Sequence, residues 1–144
     1  MTTPKRLLAV DFGDARTGLA ATDWTGTICV PLDRIDSRDA AAVATAVAAV
    51  AVERETEAIA LGMPVSQDGK PNARMERTER FRSLLVAAVR CPVHAVDESH
   101  TTDEAHERLK QGGLKASQRK KLADSVAALV ILERFREQLR RSPR

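Results

Sequence analysis

Aromatic side chains are nearly missing from this chain, which has no tyrosine, one tryptophan (Trp24) and three phenylalanines (Phe12, Phe81 and Phe135). That scarcity excludes a broad surface that reads bases by stacking. Cysteine is scarce too: Cys29 and Cys91 lie far apart with no CxxC spacing, which reads as two free thiols rather than a disulfide framework or a zinc knot. The longest apolar run, Ala40 to Val52 broken only by Thr45, consists of alanine and valine and is too short and too weakly hydrophobic to cross a bilayer. Pro4 and Lys5-Arg6 run directly into a strand-like segment, without the apolar stretch and cleavage site of a signal peptide. The expectation is a cytoplasmic protein with no membrane partner.

What is present suits a folded core. Of 144 residues, 43% are apolar and 30% charged, and one domain spanning 1–144 is expected. Net charge is only +3, but residues 115 to 144 hold nine Lys or Arg against three acids, a net +6 that leaves the rest at −3. A basic end beside an acidic body suits a polyanion such as nucleic acid, or else a solvated basic helix face.

Three strands are predicted at about 6–12, 17–23 and 27–33, separated by turn residues in the manner of an antiparallel meander. Asp36 or Ser37 is the expected cap of a helix reaching about Arg54, and Glu57 to Gly62 reads as a buried strand. A loop from Met63 to Pro71 precedes a helix at about 73–89, and Pro92 stops that helix before a strand at Val93–Val96. Thr101 with Glu104 fits a capping box for a short helix closed by Gly112-Gly113, and Ser117 is the expected cap of a long helix from Gln118 to about Arg140. The order βββαβαβαα implies an α/β fold: a mixed five-stranded sheet, antiparallel first and parallel later, flanked by helices.

Three acids stand where chemistry is possible. Leu7 to Val10 ends on Asp11 and opens into Phe12-Gly13-Asp14-Ala15-Arg16-Thr17-Gly18, either an ordinary hairpin or a carboxylate held at the mouth of a sheet. Asp97-Glu98 follows the Val93–Val96 strand in the same way, and ligands of parallel sheets bind beyond such strand ends. Asp124 precedes seven consecutive apolar residues, Val126 to Leu132, and on an ideal helix shares a face with Lys120, Ala127, Ala128 and Ile131. An unpaired carboxylate there would cost several kcal/mol, so it pairs with Lys120 or Lys121, stays neutral or binds a metal. Carboxylates brought together repel unless a cation sits between them. Asp11, Glu98 and Asp124 form an all-oxygen donor set suited to Mg²⁺ or Mn²⁺, hard ions that serve phosphodiester hydrolysis. Arg16 offers a planar fork for phosphate, or is a surface charge in a turn.

Four segments carry a family resemblance: Val10-Asp11-Phe12-Gly13-Asp14-Ala15-Arg16-Thr17-Gly18-Leu19-Ala20; Leu61-Gly62-Met63-Pro64 through Asp68-Gly69 to Glu79-Arg80-Phe81; Val96-Asp97-Glu98-Ser99-His100-Thr101-Thr102 with Glu104-Ala105; and Lys121-Leu122-Ala123-Asp124-Ser125-Val126-Ala127-Ala128. In this order, over nearly the whole chain, they resemble the YqgF/RuvX family. The resemblance implies an RNase H-like fold shared with RuvC-type Holliday junction resolvases. It also implies nuclease activity, on precursor 16S rRNA or on branched DNA, with Asp11, Glu98 and Asp124 carrying metal-dependent catalysis. One departure stands out: the family pattern has Arg after Asp-Glu, where this chain has Ser99, and His100 is the nearest replacement cation. Arg16, His100, Lys120 and Lys121 are the expected contacts to substrate phosphate. Arg74 and Arg77, with Glu76, Glu79 and Arg80, are expected to form a charged outer helix face. A catalytically silent nucleic-acid-binding module is the remaining alternative, and a monomer and a homodimer are both compatible with the sequence.

Overall fold

Alternation along the first strand sorts the core into two halves. The computed structural model describes residues 3–66, 68–98 and 116–141, with the side chains of 116–124 outside that description. Strand β1 (Leu7–Asp11) pairs antiparallel with β2 (Arg16–Thr22), which pairs antiparallel with β3 (Cys29–Asp36). After helix α1 (Ala40–Glu53), β4 (Ala58–Met63) lies parallel to β1; after helix α2 (Ala73–Ala88), β5 (Val93–Asp97) lies parallel to β4. Helix α3 (Ala116–Arg141) ends the described chain, and the sheet order is β3-β2-β1-β4-β5.

Leu8, Val10, Leu19, Ile59 and Leu61 face α1 and α2, where Phe81 and Leu85 meet Val43 and Val47. On the opposite face Leu7, Ala9, Ala20, Ala58 and Ala60 meet Ile131, Leu132 and Phe135 of α3. Alanine lines this second face, so the helix approaches closely and its larger side chains fill the space, as interior packing density demands. The free thiols Cys29 and Cys91 agree with the spacing of the sequence. No helix among the described residues is long and apolar enough to cross a membrane.

Three element ends differ from expectation. Strand β3 continues to Asp36, so the cap of α1 is neither Asp36 nor Ser37 but Asp39, whose carboxylate accepts from the amides of Ala41 and Ala42. Asp36 instead meets the guanidinium of Arg34 at 3.0 Å, and Ser37 Oγ accepts from the Asp39 amide. Helix α3 already includes Ala116, so Ser117 is not its cap. The Thr101–Glu104 capping box and the Gly112-Gly113 stop lie outside the described residues.

The β2–β3 turn is held by one carboxylate. Asp23 accepts from the amides of Thr27 and Ile28 and from the hydroxyl of Thr25, while Gly26, at φ +77°, takes the left-handed conformation that the turn requires. The Ile28 amide above all, then the Thr25 hydroxyl, holds the Asp23 carboxyl below its ordinary range. A folded-state value below the unfolded one means that this contribution is complete above the ordinary carboxylate range and disappears as pH falls through the lowered value. An acid titration of the neighbouring Trp24 emission should show that loosening in wild type and not in Asp23→Asn.

Candidate active site

Strand β1 delivers Asp11 to the end of the sheet. By alternation it continues the row of Leu7 and Ala9, on the face that α3 covers. Parallel registers Val10↔Leu61 and Gly62↔Val96 bring β4 and β5 level with it. Glu98 follows β5, with its amide donating to the Met63 carbonyl at 3.2 Å, so it extends the ladder by one step. One strand, β4, separates the strand of Asp11 from that of Glu98, two inter-strand spacings or about 10 Å between backbones, and their side chains emerge on the same face.

Gly62 occupies the strand between them and accounts for that geometry. A Cβ at Gly62 would lie 2.9 Å from Glu98 Oε2 and 2.5 Å from Ile131 Cδ1. Glu98 therefore lies over the bare backbone of β4, between the sheet and α3. Glycine is required here for close approach, since any side chain would displace the carboxylate.

Glu98 is buried, its side chain only 7% exposed, and Arg74 Nη2 donates to its Oε1 at 3.0 Å. A buried carboxylate demands such a partner. Arg77 reaches across from the same helix to Asp14 at 2.8 Å. Both arginine side chains stay exposed, as expected of a charged outer helix face, but these contacts also tie them to the strand ends, which the sequence did not indicate. The first turns of α2, capped by Asn72, turn both cations toward the strand ends, where a cleft of about 220 Å³ is lined by Phe12, Gly13, Asp14, Arg74, Arg77 and Thr78. Phe12 stacks on Phe81 with centroids 4.1 Å apart, which anchors the residue after Asp11 to α2. Gly13 lies so close to the carbonyl of Arg16 that a Cβ would collide with it.

The other expected residues are distributed differently. Arg16 opens β2 in register with Asp36 and is exposed. Asp124, Lys120 and Lys121 lie on the described backbone of α3, with Asp124 two turns before Ile131, but their side chains fall outside the description, as does all of His100. Among the described residues no group of three His, Cys, Asp or Glu side chains gathers to hold a metal. His94 tilts against Phe135 with centroids 5.2 Å apart, a packing role. Sequence reasoning missed Gly62, Arg74 and Arg77; Asn72 marks where α2 begins, and no local signal sets that start beside the strand ends.

An antiparallel-then-parallel five-stranded sheet, with carboxylates at the ends of two parallel strands that flank a third, under the last described helix, defines an RNase H-like fold. Solved structures share the fold: RuvC of T. thermophilus in complex with a Holliday junction substrate matches 92% of this chain and 95% of that one, with a TM-score of 0.61 at 18% identity. Fowlpox virus resolvase, solved with Holliday junction DNA, matches 93% and 98% of the two chains with a TM-score of 0.55 at 12% identity. Residues 5–138 match the family model RuvX, described as Holliday junction resolvase, and the chain belongs to that family. Relatives include the "Putative pre-16S rRNA nuclease" of Synechococcus elongatus, 36% identical over 95% of this chain and 91% of that protein. The protein of the same name from Streptomyces coelicolor is 33% identical over 96% and 84%.

Proposed function

We propose that the chain is a single-domain cytoplasmic nuclease that uses Mg²⁺ or Mn²⁺ to hydrolyse phosphodiester bonds in structured RNA, maturing the 5′ end of precursor 16S rRNA. The observation that carries this reading is the placement of Asp11 and Glu98 on one face of the sheet at the ends of β1 and β5, on either side of the bare backbone of Gly62 on β4. The names of the curated relatives favour RNA as substrate.

The donor set fits a hard divalent ion: Asp11 and Glu98 offer carboxylate oxygens, and Asp124 on α3 is the third ligand in this reading. Bound there, such an ion supplies an activated water and neutralises charge on the leaving oxygen. The protein's own part is positioning. Gly62 leaves room for Glu98, and Arg74 orients its carboxylate. Arg77, Arg16, Lys120, Lys121 and His100 are placed in this reading along the path of the phosphate backbone, where charge and shape substitute for base stacking. Arg74 supplies a cation beside Glu98, where the family pattern would place one at position 99.

Branched DNA is the second reading, favoured by the family description. Resolving a four-way junction takes two symmetry-related sites, so a protein that stays monomeric in solution and on the junction would exclude it. The deciding experiment offers precursor 16S rRNA and a four-way junction side by side, with Mn²⁺ and with chelator. Cleavage of the RNA that disappears on chelation is expected; binding of both substrates without metal-dependent cutting would mark a silent binding module.

A further inference from the structure

The pole of the sheet opposite the strand ends carries a second basic feature. A cavity of about 370 Å³ opens between the entry to β1, the β2–β3 turn and the end of α3, lined by Lys5, Leu7, Gly26, Arg136, Leu139 and Arg140 among others, with no acid in its lining. Gly26 fits tightly against the chain here, since a Cβ on it would lie 2.8 Å from the carbonyl of Lys5. Arg136 donates to Cys29 Sγ at 3.1 Å, and Arg140 stands 4.0 Å from Glu137, a long exposed pair that holds it weakly. Two residues before Gly26 comes Trp24, 59% exposed and the only tryptophan of the chain. It sits on the turn that Asp23 fixes and shares a small recess with Arg6, Thr22, Asp23 and Arg54. Glu57, 3.7 Å from Arg6, accepts from the amides of Lys5 and Arg6 and does not line the cavity.

The rigid β2–β3 turn thus gives Gly26 to a cation-lined cavity on the α3 side and carries the exposed indole of Trp24 toward the α1 side, so that a strand passing over this end of the sheet meets the two elements of single-strand recognition, charge for the backbone and a flat face for a base. We infer that this pole binds single-stranded RNA, with a base stacked on Trp24 and a backbone phosphate held by Lys5, Arg136 and Arg140. Lys5 precedes Asp11 by six residues of extended chain, about 20 Å, so the strand gripped here lies beyond the reacting phosphate. RNA as the occupant rests on the nuclease reading; the cavity and its charges do not.

Because Trp24 is the only strong fluorophore, its emission reports on the site directly. An oligouridylate of about 12 nucleotides, added in chelator so that nothing is cut, is expected to quench it saturably, and added salt should weaken the effect. The double variant Lys5→Ala/Arg140→Ala, altered only at exposed positions, should bind about tenfold more weakly with an unchanged melting curve. Trp24→Ala, followed by anisotropy of a labelled oligonucleotide, should weaken binding as well, whereas Asp11→Asn should quench as wild type does. Absence of quenching in wild type, or equal affinity in the double variant, would overturn the inference. Quenching by a protein that cuts no RNA would leave this pole standing and sink the nuclease reading; cutting without quenching would do the reverse.

Discussion

Replacing Asp11 with asparagine is expected to reduce single-turnover cleavage of precursor rRNA about a thousandfold at saturating Mn²⁺, since a metal ligand serves several kcal/mol of transition-state charge stabilisation and each 1.36 kcal/mol is a factor of ten. The substitution keeps the shape of the side chain and removes one negative charge from a rim that also holds Glu98. Two carboxylates near one another disfavour the folded state unless neutralised. Thermal stability without metal should therefore be unchanged or higher, while Mn²⁺ should raise the melting temperature of wild type more than that of the variant. A residual rate within tenfold of wild type would remove Asp11 from the chemistry.

Gly62→Ala should produce the second large effect, and through packing rather than charge. The added methyl would sit 2.5 Å from Ile131 Cδ1 and 2.9 Å from Glu98 Oε2. Ile131 is completely buried, so the collision is relieved by moving α3, the carboxylate or both. Overpacking of this kind costs about 1–3 kcal/mol of stability. A shift of about 1 Å in a reacting group lowers rate by about a hundredfold. Adding Ile131→Val separates the two consequences: denaturant melts should recover part of the stability, while cleavage should stay low because Glu98 remains displaced. If Gly62→Ala cuts at the wild-type rate, Glu98 is not held where the reaction needs it.

Much of the frame was legible in local pattern. Leu7 to Val10 and Ala58 to Leu61 are buried on both faces, and such strands read as continuous apolar runs ending sharply at polar residues. That sharpness places Asp11 at a strand end, while Glu98 is placed by the shorter Val93–Val96 run after Pro92, whose strand is mostly exposed. The cap of α1 was harder, because Asp36, Ser37 and Asp39 all qualify by type, and the choice depends on how far β3 stays paired with β2, which is tertiary information. Arg74 and Arg77 show the same limit more strongly. Helical periodicity assigns a residue to a face, but which face meets the site follows from the docking of α2 on the sheet. Gly62 looked like one more small residue of a buried strand; its role comes from Glu98, 36 positions later, folding back over it.

The last helix closes the sheet face from which both strand-borne carboxylates emerge, and it is the final described element of the chain. In the proposed nuclease its Asp124 also completes the set of acids. During synthesis the sheet strands emerge first, and a nascent chain that ends before residue 116 presents two ligands and an uncovered alanine-lined surface. In that reading, cutting power would arrive only with the closing of the hydrophobic core. Copies lacking that helix would then lose the third acid and the cover of the alanine-lined face together.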